Sequence, residues 1–398
     1  MTIKLFEGNP YLKECTSNVI NIINDNEQIL VVLDKTIFFP EGGGQLSDKG
    51  WINDAKVEYV FEKDGIIYHQ IDKSITGEKA NCELDWNIRL DRMQQHCGEH
   101  ILSGVFLKLY NAHNHGFHMG EDYVTIDIDL KSIDKKMISK VEQESNKAIN
   151  KNNSINISVV TKDDAIKLPL RKELKVDSDI RIVDINEIDC VACCGTHPHS
   201  TSEVGLIKII KTENYKGMTR VYFKCGIRAL KDYQNKHNIV NKLSKLYSTD
   251  ENSIIEKTKS DIEKSKELIK ELKSVKNKLL KYEAIEIIQN DSFNIKKTID
   301  NEDFTLIKVL LKDKSFDDLQ LLANTIMENQ KSVLFLASKK DNRVLLTHDG
   351  SFKLHCGKIY KNNINTYNGR GGGGNKMAQG VFSNSEDLLS FFNNTLII

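Results

Sequence analysis

The sequence predicts an α+β protein built from several domains. Its length of 398 residues exceeds what one hydrophobic core normally serves. The chain begins with short strand-like runs. In its central part, apolar residues recur at helical spacing over a long stretch that contains neither proline nor glycine. We predict a small β-barrel at residues 1–83, an α+β domain at 84–226, a helical linker or dimerisation arm at 227–289 and a small α/β domain at 290–398.

The barrel is predicted from runs rich in β-branched and aromatic residues, separated by polar or glycine-rich turns. These runs are residues 18–23, 28–34, 57–62 and 66–70. The segment PEGGGQ, residues 40–45, interrupts them. Its three glycines allow positive φ angles and close backbone approach to a ligand, although a plain wide turn would also use them.

At the start of the second domain, the spacing of apolar residues changes from that of strands to that of a helix. Apolar residues recur at helical spacing over residues 85–110, which predicts a long, half-buried helix. Strand-like and helical runs alternate after it. The predicted strands are residues 124–129, 155–161, 180–185, 205–210 and 219–224, and a helix is predicted at 134–150.

The helical segment has an incomplete heptad pattern. Ile255, Ile262 and Ile269 stand seven residues apart, as do Leu272 and Leu279, which predicts helices that form a hairpin or a dimer contact. The end of the segment is basic, with Lys264, Lys266, Lys270, Lys273, Lys276, Lys278 and Lys281. These lysines suit either RNA contact or a solvated face with glutamate partners one turn away.

The last domain alternates strand and helix again. Strands are predicted at residues 306–311 and 332–337, with a helix at 317–329 between them. A glycine-rich turn is predicted at 368–374, followed by helical segments. The turn is either a flexible linker or a backbone cradle for RNA phosphate to which Arg370 adds charge.

Two short motifs predict a metal site. His96 and His100 are four residues apart on the predicted helix, so both imidazoles lie on one face within reach of a single zinc ion. Cys193 and His197 repeat the spacing, and Gly195 between them permits a tight, non-helical path. Together the two pairs form a standard zinc ligand set.

The remaining cysteines and histidines carry weaker signals. Cys190 and Cys194 are alternative ligands by spacing, but small buried hydrophobic residues are the preferred interpretation. His118, in the segment GFHMG, is a candidate for lining the pocket.

Composition excludes several classes of protein. No apolar run reaches the ~20 residues of a membrane span, and the first residues lack the apolar core of a signal peptide. Eight cysteines in so long a chain do not suggest a disulfide scaffold, so we expect a reducing, cytoplasmic setting. The formal net charge of zero argues against a nonspecific nucleic-acid binder but permits local basic patches.

Four segments, in this order, resemble one family. They are TIFFPEGGGQLSDKG (36–50), DWNIRLDRMQQHCGEH (85–100), CCGTH (193–197) and GRGGGGNKMAQ (369–379). Together they resemble the editing and C-terminal parts of alanyl-tRNA synthetase and its free-standing relatives, the AlaX proteins of the long type. One position departs from the usual Cys-Gly-Gly-Thr-His, because Cys194 replaces the first glycine, but the ligand spacing is preserved.

The resemblance implies a trans-editing aminoacyl-tRNA hydrolase. The expected substrate and partner is tRNA-Ala mischarged with serine or glycine, and the expected cofactor is Zn²⁺. A pocket built for alanine discriminates poorly against a ligand that lacks one methyl group or adds one hydroxyl, so a second site must supply selectivity. Since the chain starts at the predicted barrel, we expect an editor and not a synthetase.

The roles of the site residues are less determined. His96, His100, Cys193 and His197 are the expected zinc ligands, and the metal either activates water or orients the substrate amine. Glu99 is a candidate general base, or a helix residue that points away from the metal. Candidates to read the serine hydroxyl are Thr36, Gln45 and His118.

Two other functions fit parts of the pattern. The segment His-x-x-Glu-His at residues 96–100 matches an inverted zincin metalloprotease, but that class requires a downstream glutamate ligand where this chain offers Cys193 and His197. A noncatalytic tRNA-binding protein with a structural zinc is the second alternative, and an assay of deacylation separates it from an editor.

Overall fold

The computed structural model describes residues 1–25, 28–174, 180–299 and 302–395. Contacts between residues divide the chain into two units, Met1–Leu243 and Ser244–Ile398. In the described residues, no helix is both long enough and apolar enough to cross a membrane.

The first unit contains fifteen strands and five helices in the described residues, besides one short 3₁₀ helix. They are β1 (Ile3–Lys4), α1 (Leu5–Gly8), β2 (Glu14–Asp25), β3 (Gln28–Leu33), β4 (Lys35–Thr36), β5 (Gly50–Ile52), β6 (Ala55–Lys63), β7 (Ile66–Ile71), β8 (Lys79–Leu84), α2 (Trp86–Tyr110), β9 (Asn114–Met119), β10 (Val124–Ile128), α3 (Lys135–Asn150), β11 (Ile155–Val160), α4 (Lys162–Ala165), β12 (Ile180–Ile185), β13 (Asp189–Ala192), β14 (Ile207–Tyr215), β15 (Met218–Cys225) and α5 (Gly226–Leu246).

Six strands close into a barrel, which confirms the predicted N-terminal fold. Their order is β2-β3-β7-β6-β5-β8, and antiparallel pairing of β2 with β8 completes the ring. The sequence did not reveal β5 or β8. Strand β5 has only three residues. The sequence of β8 is largely polar, because only Ala80, Cys82 and Leu84 face the interior.

The glycine-rich loop between β4 and β5 takes the left-handed backbone conformation that its composition allows. Gly43 and Gly44 have φ angles of 59° and 85°. A Cβ atom on Gly44 would lie 2.5 Å from Cδ1 of Phe117 on β9. The loop therefore touches the second domain at a distance that only glycine permits.

A buried arginine fastens the long helix α2 to the barrel. The Arg89 side chain is fully buried and donates to the carbonyl oxygens of Pro10 and Ile37, each at 2.6 Å. Its Nε also lies 3.0 Å from an Asp48 carboxylate oxygen. A charge buried in this way is stable only because every neighbouring group is a hydrogen-bond partner. The contact fixes α2 against the loop that precedes β5.

Two small sheets surround α2 and α3 in the predicted second domain. One has the order β14-β15-β10-β9 and the other β11-β12-β13. Their apolar residues join those of α2 in one core, for example Ile101, Phe106, Ile126 and Phe223. Strands β9 and β13 were missed because the first contains His and Gly without alternation and the second has only four residues.

The segment after β15 is helical, as the sequence predicted, and consists of two helices. Helix α5 ends at Leu246, and helix α6 spans Ile254–Gln289. The division between the two units falls inside α5. The last turns of α6 bury Leu280, Ala284 and Ile287 in the core of the second unit, so they belong to that domain.

The second unit is built around one sheet. After α6 its described elements are β16 (Asn294–Ile299), β17 (Glu302–Leu311), α7 (Phe316–Asn329), β18 (Ser332–Ser338), β19 (Arg343–His348), α8 (Cys356–Asn363), β20 (Gly369–Gly373), β21 (Met377–Phe382) and α9 (Ser385–Asn394), besides one short 3₁₀ helix.

The strand order of this sheet is β16-β17-β18-β19-β21-β20. The pair β17–β18 is parallel and is connected through α7, as the predicted strand, helix and strand required. The end of α6 and α7 pack on one face, and α8 and α9 pack on the other. The result is a three-layered α/β domain.

The prediction of a glycine-rich turn at residues 368–374 was wrong. Gly369–Gly373 form strand β20, which pairs in antiparallel register with β21. A Cβ on Gly371 would stand 2.1 Å from the Gln379 carbonyl oxygen, so the backbones approach too closely for any other residue. The element after this strand is β21, and a helix follows only at Ser385.

Candidate metal centre

Four side chains from two elements converge at one point in the first unit. Helix α2 contributes His96 and His100, and the loop after β13 contributes Cys193 and His197. Their ligand atoms all lie within 4.8 Å of one another. The Cys193 Sγ lies 3.4 Å from Nε2 of His96 and 3.4 Å from Nε2 of His197. The structure therefore brings together all four residues that the sequence predicted as ligands.

The helical half of the cluster follows from local structure. Asp85 caps the N-terminus of α2, because its carboxylate accepts from the backbone amides of Asn87 and Ile88. Residues four apart then stand one above the other. The rings of His96 and His100 are 5.1 Å apart and nearly parallel, at 20°.

The loop half of the cluster depends on a glycine and an arginine. A Cβ on Gly195 would lie 2.2 Å from the ring of His96, so no larger residue fits at this position. Arg181 donates to the carbonyl oxygens of Cys193 and Gly195, at 2.7 and 3.0 Å. Cys194, which replaces a glycine of the usual motif, is exposed and stands outside the cluster. The departure therefore leaves the ligands in place.

Two side chains orient the histidine ligands. Gln45, from the glycine-rich loop, places its Oε1 2.7 Å from His96 Nδ1, and Asp189 places Oδ2 2.7 Å from His100 Nδ1. An Nδ1–H donated to such an oxygen leaves Nε2 as the lone-pair nitrogen. The loop and the helix thus form a single site.

The donor set fits a metal ion. His100 Nε2 is buried and has no hydrogen-bond partner among the described residues, although it faces the other ligand atoms. Burial by itself would raise the pKa of the Cys193 thiol, but His96 and His197 lower it well below its usual range. A thiolate beside lone-pair imidazole nitrogens is the form in which both groups bind metal.

Glu99 is close to the cluster but is held by other residues. Its Oε1 accepts from Ser103 and Asn114, each at 2.7 Å, and Arg171 approaches to 3.6 Å. Its Oε2 lies 3.9 Å from His100 Nε2. Burial would raise the pKa of Glu99, but Arg171 and the two histidines of α2 lower it to about 2. The carboxylate is therefore ionised, with Oε1 engaged by these donors and Oε2 nearest to His100.

The three candidates for reading a substrate hydroxyl occupy different places. Gln45 contacts the cluster. Thr36 is buried in the barrel, where His69 Nε2 lies 2.8 Å from its hydroxyl. His118 is exposed on β9, whereas the adjacent Phe117 packs its ring 5.1 Å from that of His96. Since neighbouring side chains of a strand face opposite ways, His118 points away from the cluster.

Sequence reasoning missed two residues that support the site. Asp189 is bound by His100 and also by Arg171, whose Nε lies 2.6 Å from Asp189 Oδ1. Arg171 in turn approaches Glu99. These residues come from distant parts of the chain and have no characteristic spacing, so no local signal identified them. Neither Cys190 nor Cys194 belongs to the cluster.

Two family models match parts of the chain. The model described as "Threonyl and Alanyl tRNA synthetase second additional domain" matches residues 180–222, which include the ligand loop. The model described as "tRNA synthetases class II (A)" matches residues 12–88, which include the barrel strands.

Similar proteins extend over nearly the whole chain. The alanyl-tRNA editing protein AlaX-L of Pyrococcus horikoshii is 32% identical over 396 residues, which cover 96% of this chain and 94% of that protein. The alanyl-tRNA editing protein Aarsd1-B of Xenopus laevis is 27% identical, with 83% of each chain covered. An alanine–tRNA ligase of Methanobrevibacter smithii is 27% identical over 94% of this chain but only 43% of the ligase.

A solved structure, the C-Ala domain of Aquifex aeolicus alanyl-tRNA synthetase, matches 25% of this chain at 19% identity, but its TM-score of 0.22 carries no argument about the fold. The match to AlaX-L spans both the barrel and the metal-ligand motifs, and it continues through the second unit. The chain therefore belongs to the AlaX family of alanyl-tRNA editing proteins.

Proposed function

We propose that this protein is a trans-editing deacylase, which hydrolyses the ester of tRNA-Ala that carries serine or glycine. The observation that carries the proposal is the contact between Gln45 and His96, because it joins the glycine-rich loop and the metal ligands in one site. The names of the similar editing proteins support tRNA-Ala as the partner. All eight cysteines are free, which suits the reducing cytoplasm that we propose as its location.

We propose that the cluster holds zinc. Three imidazole nitrogens and one thiolate form a ligand set that zinc prefers. When bound, zinc would supply Lewis-acid polarisation of water or of the ester carbonyl, or a binding site for the substrate's free amine. Catalysis with four protein ligands requires a further coordination position or the displacement of one ligand.

The chain's own residues prepare the site for this substrate. Gln45 and Asp189 hold the rings of His96 and His100 in fixed orientations, so no reorganisation is needed when the ester enters. Arg171 balances the charge of Asp189 and of Glu99.

Glu99 is better suited to positioning than to general base catalysis. Its Oε1 accepts from Ser103 and Asn114 and faces Arg171, and a carboxylate whose pKa is lowered to about 2 is a weak base at neutral pH. Glu99→Gln separates the two roles. A positioning residue affects zinc affinity, whereas a base affects turnover and the pH profile and leaves zinc content unchanged.

Selectivity requires a polar group that rewards the serine hydroxyl, since serine is larger than alanine and glycine is smaller. Gln45 contacts His96 as well, so its loss would disturb both substrates. His118 faces away from the cluster. Thr36 precedes the loop that carries Gln45, and its hydroxyl keeps one lone pair after its contacts with His69 and the Phe38 amide. We therefore propose Thr36 as the residue that reads the hydroxyl.

The experiment that tests the proposal uses purified full-length protein. Ser-, Gly- and Ala-charged tRNA-Ala are incubated with it, and loss of the ester is followed. We expect cleavage of the serine or the glycine ester and sparing of the alanine ester. Absence of all cleavage in zinc-loaded protein would favour the noncatalytic tRNA-binding alternative.

The metalloprotease alternative lacks structural support. That class requires a glutamate as the third protein ligand. Within the described residues, the group with suitable ligand atoms consists of three histidines and Cys193, and Glu99 is turned to other partners.

A further inference from the structure

A groove of about 620 Å³ opens in the first unit beside the metal centre. Its walls come from the start of α2, the residues before β5, the turn after β9, the end of β15 and the first turns of α5. Arg92 lines this groove on α2, one helical turn before His96. Four residues advance a helix by about 6 Å, so the groove and the ligand cluster are neighbours.

Arg92 is a buried cation that makes no direct ion pair in the described residues. Its side chain is only 5% exposed, and its Nη1 atom has no hydrogen-bond partner in the described part of the chain. Three carboxylates act on Arg92 through their charge: Asp48, which pairs with Arg89, Asp91, which pairs with Arg228 at 2.7 Å, and the exposed Glu121 of the same groove. Burial lowers the pKa of Arg92, which reflects the cost of keeping its charge away from water.

The groove is lined by five cationic and five acidic side chains, and two of each form ion pairs with one another. Lys224 is neutralised by Asp232 at 3.0 Å, as Arg228 is by Asp91. Outside these pairs, the lining contains the cations Arg92, Lys49 and Lys231 and the carboxylates Asp85, Glu121 and Asp122. The buried cation therefore has room for an anion, and two further lysines line the same space.

We propose that Arg92 binds a backbone phosphodiester of the tRNA acceptor end and so aligns the ester with the metal centre. This inference rests on the proposed function. In an aminoacyl-tRNA the amino-acid carboxyl is esterified, so the negative charges that remain near the ester are phosphodiesters. A planar guanidinium matches the two free oxygens of a phosphodiester, and a contact away from base edges does not depend on sequence.

The test measures binding of uncharged tRNA-Ala to the full-length protein over a range of salt concentrations. The variants are Arg92→Gln and Arg92→Lys, with Lys140→Gln as the matched control, because Lys140 is an exposed cation on α3 outside the groove. The Arg92→Gln variant loses one charge-assisted phosphate contact, so it should bind tRNA-Ala more weakly than the wild type, by roughly tenfold or more. The slope of log K against log salt should fall by about 0.7–0.9.

Arg92→Lys should keep the salt slope but bind less tightly than the wild type, since it retains the charge and loses the planar fork. Lys140→Gln should bind tRNA as the wild type does. Zinc content and cleavage of a small ester analogue should stay unchanged in all three variants, which shows that the fold is intact. If Arg92→Gln loses its zinc, the comparison is made with Arg92→Lys instead. Wild-type affinity of Arg92→Lys for tRNA would then contradict the proposal.

Inorganic phosphate distinguishes a nucleic-acid contact from a site for a small anion. Tight binding of phosphate that depends on Arg92, with tRNA binding unchanged in Arg92→Gln, would overturn the proposal. Unchanged tRNA binding with normal deacylation would overturn it too, and the proposed function would survive. Because the probe is uncharged tRNA, weakened binding by Arg92→Gln supports the inference even if the protein deacylates nothing.

Discussion

At the scale of single residues, His96 and His100 supply two of the four candidate ligand atoms from one face of α2. Replacing both with alanine leaves two ligands, which are too few for a zinc site, so zinc content should fall from about one ion per chain to near zero. Elemental analysis of protein purified without added metal measures this. The control is His113→Ala with His115→Ala, two exposed histidines of the same unit. Equal zinc in both double variants would refute the ligand assignment.

The Thr36 hydroxyl allows a test of selectivity. Thr36→Val keeps the shape of the side chain and removes its hydrogen-bonding capacity, so cleavage of Ser-tRNA-Ala should fall at least roughly tenfold, while cleavage of Gly-tRNA-Ala changes little. Zinc should be retained. Gln45→Leu should reduce both activities, because Gln45 also orients His96.

His118→Ala should change neither activity, since that side chain is exposed on the far side of β9. Equal loss on both substrates in Thr36→Val would show that backbone groups or the metal read the hydroxyl. A loss confined to His118→Ala would place the serine pocket on the other face of the sheet.

The buried imidazole of His69 makes the barrel sensitive to acid. Burial lowers its pKa to about 4, despite the nearby Val31 carbonyl oxygen. The unfolded chain therefore takes up a proton first as the pH falls, so this stability is present above about pH 6.5 and is lost as the pH falls to about 4. The loss should amount to about 3 kcal/mol.

Denaturant unfolding of the wild type and of His69→Gln at several pH values measures this pH-dependent part of the unfolding free energy. Tryptophan fluorescence is a suitable signal because Trp51 and Trp86 are the two tryptophans of the chain and both lie in the first unit. The difference in unfolding free energy between the two proteins should shrink below pH 6.5. A constant difference from pH 7 to pH 4 would contradict the assignment.

At the scale of elements, helix α6 carries an exposed apolar seam. Its residues follow alternating steps of four and three, as in the seam of a coiled coil. They are Leu268, Leu272, Val275, Leu279 and Tyr282, and each is more than half exposed. We expect this seam to pair two copies of the chain, which is one form of the helical arm that the sequence predicted.

Leu272→Lys with Leu279→Lys should convert a dimer to a monomer, measured by light scattering after size exclusion. The control is Ser260→Lys with Ser274→Lys, which adds the same charge on another face of α6. A wild-type protein that is monomeric at high concentration would exclude the dimer.

At the scale of the whole molecule, the second unit contributes cations that do not belong to the unit with the candidate metal centre. The seven lysines at positions 264–281 of α6 and Arg370 on β20 are exposed. We expect a chain that ends at Leu246 to keep its zinc and to cleave a small ester analogue, but to bind tRNA more weakly and with a shallower salt dependence. The cut is placed at the end of α5 because Arg228 in its first turn pairs with Asp91 of α2.

Titrations of tRNA at several salt concentrations compare the shortened and the full-length chains. Equal affinity and an equal salt slope would mean that the second unit serves for association between chains and not for RNA binding. Loss of zinc from the shortened chain would show instead that the first unit requires the second for its stability.

The sequence alone predicted the four candidate ligands, the barrel and the main helices, because each rests on a local pattern. The spacing of His96 and His100 follows from the helical period, and the path from Cys193 to His197 follows from the small size of Gly195. The same logic failed for residues 368–374, since glycine permits a turn and an equally close strand pairing.

Only the tertiary structure decided which other residues join the site. Asp189 and Arg171 come from separate parts of the chain, and their roles depend on the packing of β13 and the preceding loop against α2. The same holds for Arg92, which looks like any helical arginine in sequence. Its unpartnered Nη1 became visible only when folding buried it beside ion pairs that were already complete. Local patterns specify residue types and spacings, whereas the burial of a side chain and its hydrogen-bond and ion-pair partners depend on contacts between distant segments.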